Sequence, residues 1–409
     1  MGSFSIALTG LKANSTALNT IGNNLANLNT TAYKDETTAF SDLFYQQVGS
    51  TGSGDAIQQG LGTKVSGTTS DFSEGTMTTT DSSTDMAIQG NGFFVTDDNG
   101  QQELTRAGDF QLDNQGNLIT SSGANVMGFP AENGTVSAGG SLVPLQLPIG
   151  ETQAALATST FSLTGNLSSS AAVGTNFSTP ITMYDSLGTS HVATVSFTKT
   201  ATDQWSYSVT LPAGDETGTP VGNTGTLTFD SSGNLISPTA NVSGISFPGM
   251  ADGASDMSLQ WNLFDASGNG TLSQTSAASS SSATSQNGYT SGTYEGFTVD
   301  NTGTVSAQFS NGETQTVGQV AVANVANVQG LTLAGGNSYL TTAASGAAVM
   351  GAANSGGLGS IDDESLESSN VDISTEFTNL IVAQRAFEAN SKTVTTFDTL
   401  TQDVIDMIR

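Results

Sequence analysis

The two ends of this chain share one pattern that the middle lacks. From Phe4 to Leu28, residues Phe4, Leu11, Leu18 and Leu25 recur every seven positions, and Ala7, Asn14, Ile21 and Leu28 form a second row three positions on. These are the a and d rows of a heptad with one polar member, Asn14. From Ile373 to Ile408 the design returns: Leu380, Phe387, Val394, Thr401 and Ile408 make one row, and Ala383, Asn390, Phe397 and Val404 the other. A narrow apolar stripe must be covered by something. The intervening sequence has a different period, so each end is expected to cover the other, within one chain or among its copies. The expected fold is mainly β with α-helical termini: the N- and C-terminal helices pair as a coiled-coil-like inner domain. Two β-rich outer domains follow, the second inserted in the first. Phe4, Leu11, Leu18, Ile21, Asn24, Leu25, Leu28, Leu380, Phe387, Val394, Phe397 and Val404 are the candidate assembly residues.

Composition narrows the partners. The chain has 8 Lys and Arg against 36 Asp and Glu, a net charge of −28 over 409 residues. Phosphate recognition needs a basic face, so nucleic acid is excluded as a partner. With no Cys, disulfides and thiolate metal sites are excluded too. No run of 18 apolar residues appears, so membrane insertion is not expected. The start MGSFSIALTGLKANS lacks the basic, apolar and small-residue order of a cleaved secretory signal. The 48 Gly residues, with charged residues at only 11%, favour turns and strands.

Along the chain, residues 1–30 and 365–409 are expected to form the helical assembly domain and 31–75 an irregular connector, with a short helix near Thr38–Gln47. Residues 76–154 and 285–364 are expected to form a discontinuous β domain around an inserted outer β domain at 155–284. The seams are the non-periodic tracts Gly150–Ser159 and Ser273–Ser291, read as linkers. The run after Ala334 is rich in small residues and is read as irregular. Between alternating apolar runs, Asp-x-x-Gly recurs at Asp97–Gly100, Asp113–Gly116, Asp185–Gly188, Asp230–Gly233, Asp265–Gly268 and Asp300–Gly303. The carboxylate accepts from backbone N–H groups at the turn, and Gly supplies the positive φ that closes it.

The sequence offers little for catalysis. His191 is the only histidine, so a Ser-His-Asp triad could be built only around it, and no Gly-x-Ser-x-Gly elbow accompanies it. The densest carboxylates, Asp97/Asp98 and Asp362/Asp363/Glu364, fall in a predicted turn and ahead of the last helix, where acids favour the helix dipole. The Asp-x-x-Gly turns lack the further acidic ligands of a calcium loop. Trp205 and Trp261 lie in alternating strands and read as core rather than as a sugar platform. No catalytic residue, cofactor site or metal site is assigned. Asn14 on the seam is suited to fixing register between packed helices. The density of Asn23, Asn24, Asn27 and Asn29, poor helix formers, points to contacts with other chains.

Several segments resemble the flagellar rod and hook family of axial proteins. They are Gly10-Leu11-Lys12-Ala13, Ile21-Gly22-Asn23-Asn24-Leu25-Ala26-Asn27, Thr31-Ala32-Tyr33-Lys34, and the stretch from Leu366 to Val394 (LESSNVDISTEFTNLIVAQRAFEANSKTV). Ile88–Phe94 (IQGNGFF) and Thr105–Phe110 (TRAGDF) are similar to that family's β-domain motifs. Ala32 departs from the family, which commonly has Gly there. The insert and the run Phe309–Leu331 resemble its hook-forming members rather than its shorter distal-rod members. The resemblance implies a helical homopolymer: a flexible hollow tube that carries torque from rod to filament around an export channel. It implies as partners further copies of the chain, the flagellar rod, hook-cap and hook–filament junction proteins, and the type III export apparatus. An extracellular flagellar location without a cleaved signal peptide follows from it. A distal-rod role, and a secreted β-rich adhesin or carbohydrate-binding protein, are the alternative readings.

Overall fold

A computed structural model describes residues 2–50, 56–132, 134–137 and 139–407. Ile408, and part of the Gly49–Gly54 break in the expected connector, lie outside them. The chain is strands throughout, framed by two long helices: α1, Gly2–Ala26, and α2, Ile373–Met407. The helices pack together, as the end patterns require. α2 starts at an Asp372 cap whose carboxylate accepts from the Thr375 N–H at 2.9 Å. No described helix is long and apolar enough to cross a membrane.

Two compact units divide the chain. The first holds residues 1–149, 297–307 and 315–409, the second 150–296 and 308–314. In the first, strands Thr332–Gly335, Ser338–Leu340, Gln101–Thr105, Phe93–Asp98, Asn125–Glu132 and Thr314–Asn324 lie side by side in that order. One face buries Phe93, Val95, Leu104, Phe129 and Tyr339, with Phe72 against them. Phe72, Phe93 and Tyr339 meet edge-on or tilted at 5.4–5.9 Å between ring centres. Gly108 of the TRAGDF motif runs against the chain at Met86: a Cβ there would lie 1.7 Å from the Met86 carbonyl oxygen, so only glycine fits.

The second unit is a two-sheet sandwich. One sheet is an antiparallel meander of Asn176–Tyr184, Ser190–Ala201, Gln204–Thr210, Thr224–Phe229 and Leu235–Ser237. The other orders Val242–Phe247, Met257–Asn262, Thr160–Ser168 and Leu272–Thr275, with Ser280–Gln286 also on Thr160–Ser168. Both inner faces feed one core in which Trp205 and Trp261 are fully buried, Trp261 stacking on Phe161 at 5.6 Å. The alternating pattern foretold this placement.

The Asp-x-x-Gly turns form as their chemistry requires. At Asp113, Asp185, Asp230, Asp265 and Asp300 the carboxylate accepts from the N–H groups two and four residues on, and the Gly takes a φ of +81° to +86°.

Three expectations are corrected. The 31–75 segment is not irregular and has no helix near Thr38. Glu36–Asp42 pairs with Thr63–Ser70, and Tyr45–Ser50 with Ala56–Gly60, both antiparallel. These strands are Thr-, Ser- and Gln-rich and mostly exposed, so they lack the apolar alternation that announces a strand. The Ser273–Ser291 tract is likewise a strand, because Ser280–Gln286 finds its partner in Thr160–Ser168 rather than in its own period. The run after Ala334 holds short ladders, Ser338–Leu340 on Gln101–Thr105 and Val349–Ala352 on Thr314–Asn324, and ends in Ser360–Asp363 on Met86–Gln89. Asp362 and Asp363 therefore sit in a strand, well short of α2, and Asp372 is the acid at the helix start.

Candidate assembly site

The helix pair is antiparallel and close. Asn24 Nδ2 on α1 lies 3.4 Å from Glu376 Oε2 on α2. At the far end Gly10 abuts Asn390, where an added Cβ would lie 2.8 Å from Asn390 Oδ1. The same number of residues separates the two crossings on each helix, so the register is constant between them. Continued to the end of α1, it sets Gly2 level with Asp398, and α2 runs on past it to Met407.

Small side chains make the approach possible. The buried face of α1 is Ala7, Gly10, Ala13, Ala17, Ile21 and Asn24, at three- and four-residue steps, with Thr20 beside Ile21. On α2, Glu376 and Ala383 are buried, with Leu380, Asn390, Val394 and Phe397 half-buried. Of the expected residues, Ile21 and Asn24 are thus buried, while Leu11, Leu18, Leu25 and Leu28 are half-buried. Phe4, Phe387 and Val404 are exposed. The contact face of α1 lies between the Ala7–Ile21 row and the Gly10–Ala17–Asn24 row, turned away from the Phe4–Leu25 row. Asn14 and Asn390 each donate within their own helix, to Gly10 O and Ala386 O at 2.8 Å, so neither bonds across the seam.

Where α1 ends, Asn24 organises the reversal of the chain. Its Nδ2 donates to the Glu36 carbonyl at 2.8 Å and to the Asp35 carboxylate; its Oδ1 accepts from the Glu36 N–H and the Tyr33 hydroxyl, both at 3.1 Å. Asn23 donates to Tyr33 Oη at 3.0 Å and Asn27 to Asn23 O at 3.0 Å. All three amides are engaged within their own chain, and Asn24 is buried. Burial raises the Asp35 carboxyl to about 6, with the Glu376 and Asp71 carboxylates adding to it. Burial likewise raises the Tyr33 phenol to about 12, aided by Glu36 and Asp35.

Next to this reversal lies a buried ionic cluster. Glu367 Oε1 receives Lys34 Nζ at 2.5 Å and the Gly75 N–H at 2.9 Å; Oε2 faces Arg106 Nη1 at 3.4 Å. Arg106 also donates to the Ile88 and Gly90 carbonyls at 2.7 and 2.5 Å, and Lys34 to Ser73 O at 2.7 Å. Burial lowers the pKa of both cations, against the pull of Glu367. Asn370 accepts from the Asp35 N–H at 2.7 Å and donates to Asp71 O at 2.9 Å. Ala32, at φ +53° and buried, donates its N–H to Glu367 O at 2.7 Å. The cluster thus ties the N-terminal stretch, the β-sheet motifs and the C-terminal stretch at one point. Lys34, Arg106, Glu367, Asn370 and Glu376 were not among the expected residues. The signal was available, since Lys34 and Arg106 are two of only 8 Lys and Arg in the chain and both fall inside its recognisable motifs.

Comparison with known proteins places this architecture. Residues 4–34 match the family described as flagella basal body rod protein, and 87–168 the flagellar hook protein FlgE/F/G D1 domain. Residues 169–289 match the flagellar basal body protein FlaE D2 domain, and 363–407 the flagellar basal body rod FlgEFG protein C-terminal. The flagellar hook protein FlgE of Salmonella typhimurium is 36% identical over 99% of this chain and all of its own length. That of Escherichia coli is 34% identical over 99% of both chains, and that of Treponema pallidum 31% over the whole of both. The crystal structure of Helicobacter pylori flagellar hook protein FlgE2 superposes with a TM-score of 0.56 at 16% identity, covering 71% of this chain and all of that one, and so shares the fold. With relatives matched end to end and helices paired at the termini, the chain belongs to the flagellar hook protein FlgE family and is a structural subunit of the bacterial flagellar hook.

Proposed function

We propose that α1 and α2 form the joint between one hook subunit and the next, and that the end of α2 is its key. The observation that carries this is the stretch of α2 beyond Asp398. It is nine residues long, about 13 Å at the rise of a helix, and Leu400, Val404, Ile405 and Met407 on it are exposed. Residues of that kind cost free energy in water and gain it when covered. The half-buried seam residues, from Leu11 and Leu18 to Leu380 and Val394, would extend the same contact. In this reading the protein has no catalytic role, and its chemistry is that of a fastener. Its partners are further copies, the rod below, the cap and the filament-junction proteins above, and the export apparatus that delivers it to the cell exterior. The test is truncation after Asp398, with the double variant Leu400→Asp/Val404→Asp beside it. Electron microscopy should find no tubes while the melting of both units is unchanged. Tubes of normal length from either variant would end the proposal.

A further inference from the structure

The single histidine of the chain stands among three carboxylates that come from three segments of the second unit. His191 Nδ1 lies 2.8 Å from Asp215 Oδ2, and Nε2 lies 3.1 Å from Asp185 Oδ2 and 4.0 Å from Asp252 Oδ2. His191 and Asp185 are buried. Asp185 and His191 flank the turn between the first two strands of the meander. Asp215 lies in the connection after Gln204–Thr210, and Asp252 in the connection between Val242–Phe247 and Met257–Asn262 of the other sheet. The Asp215 and Asp252 connections already travel together, because Ala251 N–H donates to Asp215 O at 2.9 Å and Glu216 bridges Met250. The imidazole fastens that pair to the Asp185 turn, with the bond from Ser255 N–H to Ser186 Oγ at 2.9 Å beside it.

A neutral imidazole has one N–H and one lone pair, and a carboxylate only accepts. Here both ring nitrogens face carboxylate oxygens at hydrogen-bond distance, which only the doubly protonated ring satisfies. The other titratable group at hand is Glu216, next to Asp215. Among the described residues no Lys or Arg pairs with Asp185, Asp215 or Asp252. Lys199 on the same strand is turned to the Ser168 and Ser169 carbonyls. The imidazolium is therefore the cluster's positive charge.

We propose that protonated His191 is a latch that holds the Asp215 and Asp252 connections against the Asp185 turn, closing one end of the sandwich, and that losing its proton releases them. Burial opposes the ring's charge, but the Asp215 and Asp185 bonds outweigh it and its pKa is raised. Burial likewise opposes the Asp185 charge, but the bonds from His191 and from the Leu187 and Thr189 N–H groups outweigh it and its pKa is lowered. The histidine's contribution is complete below its unfolded value of about 6.5 and is lost as pH rises through the raised one. The Asp185 contribution is complete above about 3.9 and is lost only as pH falls through the depressed value. The latch is shut below about 6.5 and opens as pH rises through the raised value of the ring.

With one histidine, the imidazole NMR signals of the full chain need no assignment. Expected is a titration midpoint above 6.5, lowered in Asp215→Asn, a change at a partly exposed site that leaves the fold intact. Amide exchange in 215–222 and 249–254, corrected for its intrinsic pH dependence, should rise through the same midpoint in the native chain and show no such step in His191→Gln. Zn²⁺ added at neutral pH should leave the ring signals in place. A midpoint at or below 6.5, exchange indifferent to the ring's titration, or displacement of the ring proton by Zn²⁺ would each overturn the latch.

Discussion

Lys34 and Glu367 are 333 positions apart in the chain and 2.5 Å apart in the fold, with both side chains out of contact with water. Arg106 shares the same carboxylate. Glu367→Gln would leave two buried cations facing a neutral amide. Breaking a buried pair in this way costs about 3–5 kcal/mol. Urea denaturation should show the first unit losing that much while the second unit's transition stays put. A loss under about 1 kcal/mol would mean that the backbone carbonyls around Lys34 and Arg106 suffice without the carboxylate.

Asp35 should give the first unit an acid preference. Its carboxyl, raised to about 6 by burial and by Glu376, binds a proton more tightly folded than unfolded. The group therefore favours the folded state most below about 4 and loses that contribution as pH climbs to about 6. Its partial exposure keeps the effect to a few degrees. Thermal melts of the native chain and of Asp35→Asn between pH 4 and 7 should diverge in this direction, the variant lacking the decline.

Gly10→Leu should break the helix pair. A Cβ alone would stand 2.8 Å from the Asn390 amide, whose flexible end can move aside, so Gly10→Ala is tolerated and gains about 1 kcal/mol of helix propensity. A leucine cannot be accommodated without separating the helices. Circular dichroism should show lost helix content in Gly10→Leu alone, and sedimentation the loss of polymer.

Ala32 holds a left-handed conformation, φ +53°, where glycine rests freely. For an L-residue this costs about 1–2 kcal/mol. Ala32→Gly relieves that strain but loses a buried methyl and adds unfolded-chain entropy, so stability should stay within about 1 kcal/mol. Ala32→Val adds a β-branched side chain at a buried, unfavourable φ and should cost about 2 kcal/mol or more by denaturant titration.

What the sequence reveals and what it conceals follow from range. The Asp113 and Asp230 turns depend on bonds within four residues, so their motif is visible in the chain. Trp205 and Trp261 announce their burial through alternation along one strand. The Ser280–Gln286 strand does not, because its partner lies more than a hundred residues back and its own side chains stay in water. On α1 the heptad is plain, but the buried face is turned away from its row of large residues: Phe4 is exposed and Leu11, Leu18 and Leu25 are half-buried, while close helix approach selects the small residues Ala7, Gly10, Ala13 and Ala17. The Lys34–Glu367–Arg106 cluster depends on three distant segments meeting, which no local period encodes.

The overhang of α2 also bears on how growth ends. In the proposed joint the bare tail is covered by a different part of the neighbouring copy, so the contact is not reciprocal. Each molecule that buries its neighbour's tail presents a fresh one of its own. Contacts of that head-to-tail kind give rings or open helical filaments rather than two-fold dimers; in an open filament they extend for as long as subunits arrive, and length is then fixed by something other than the subunit.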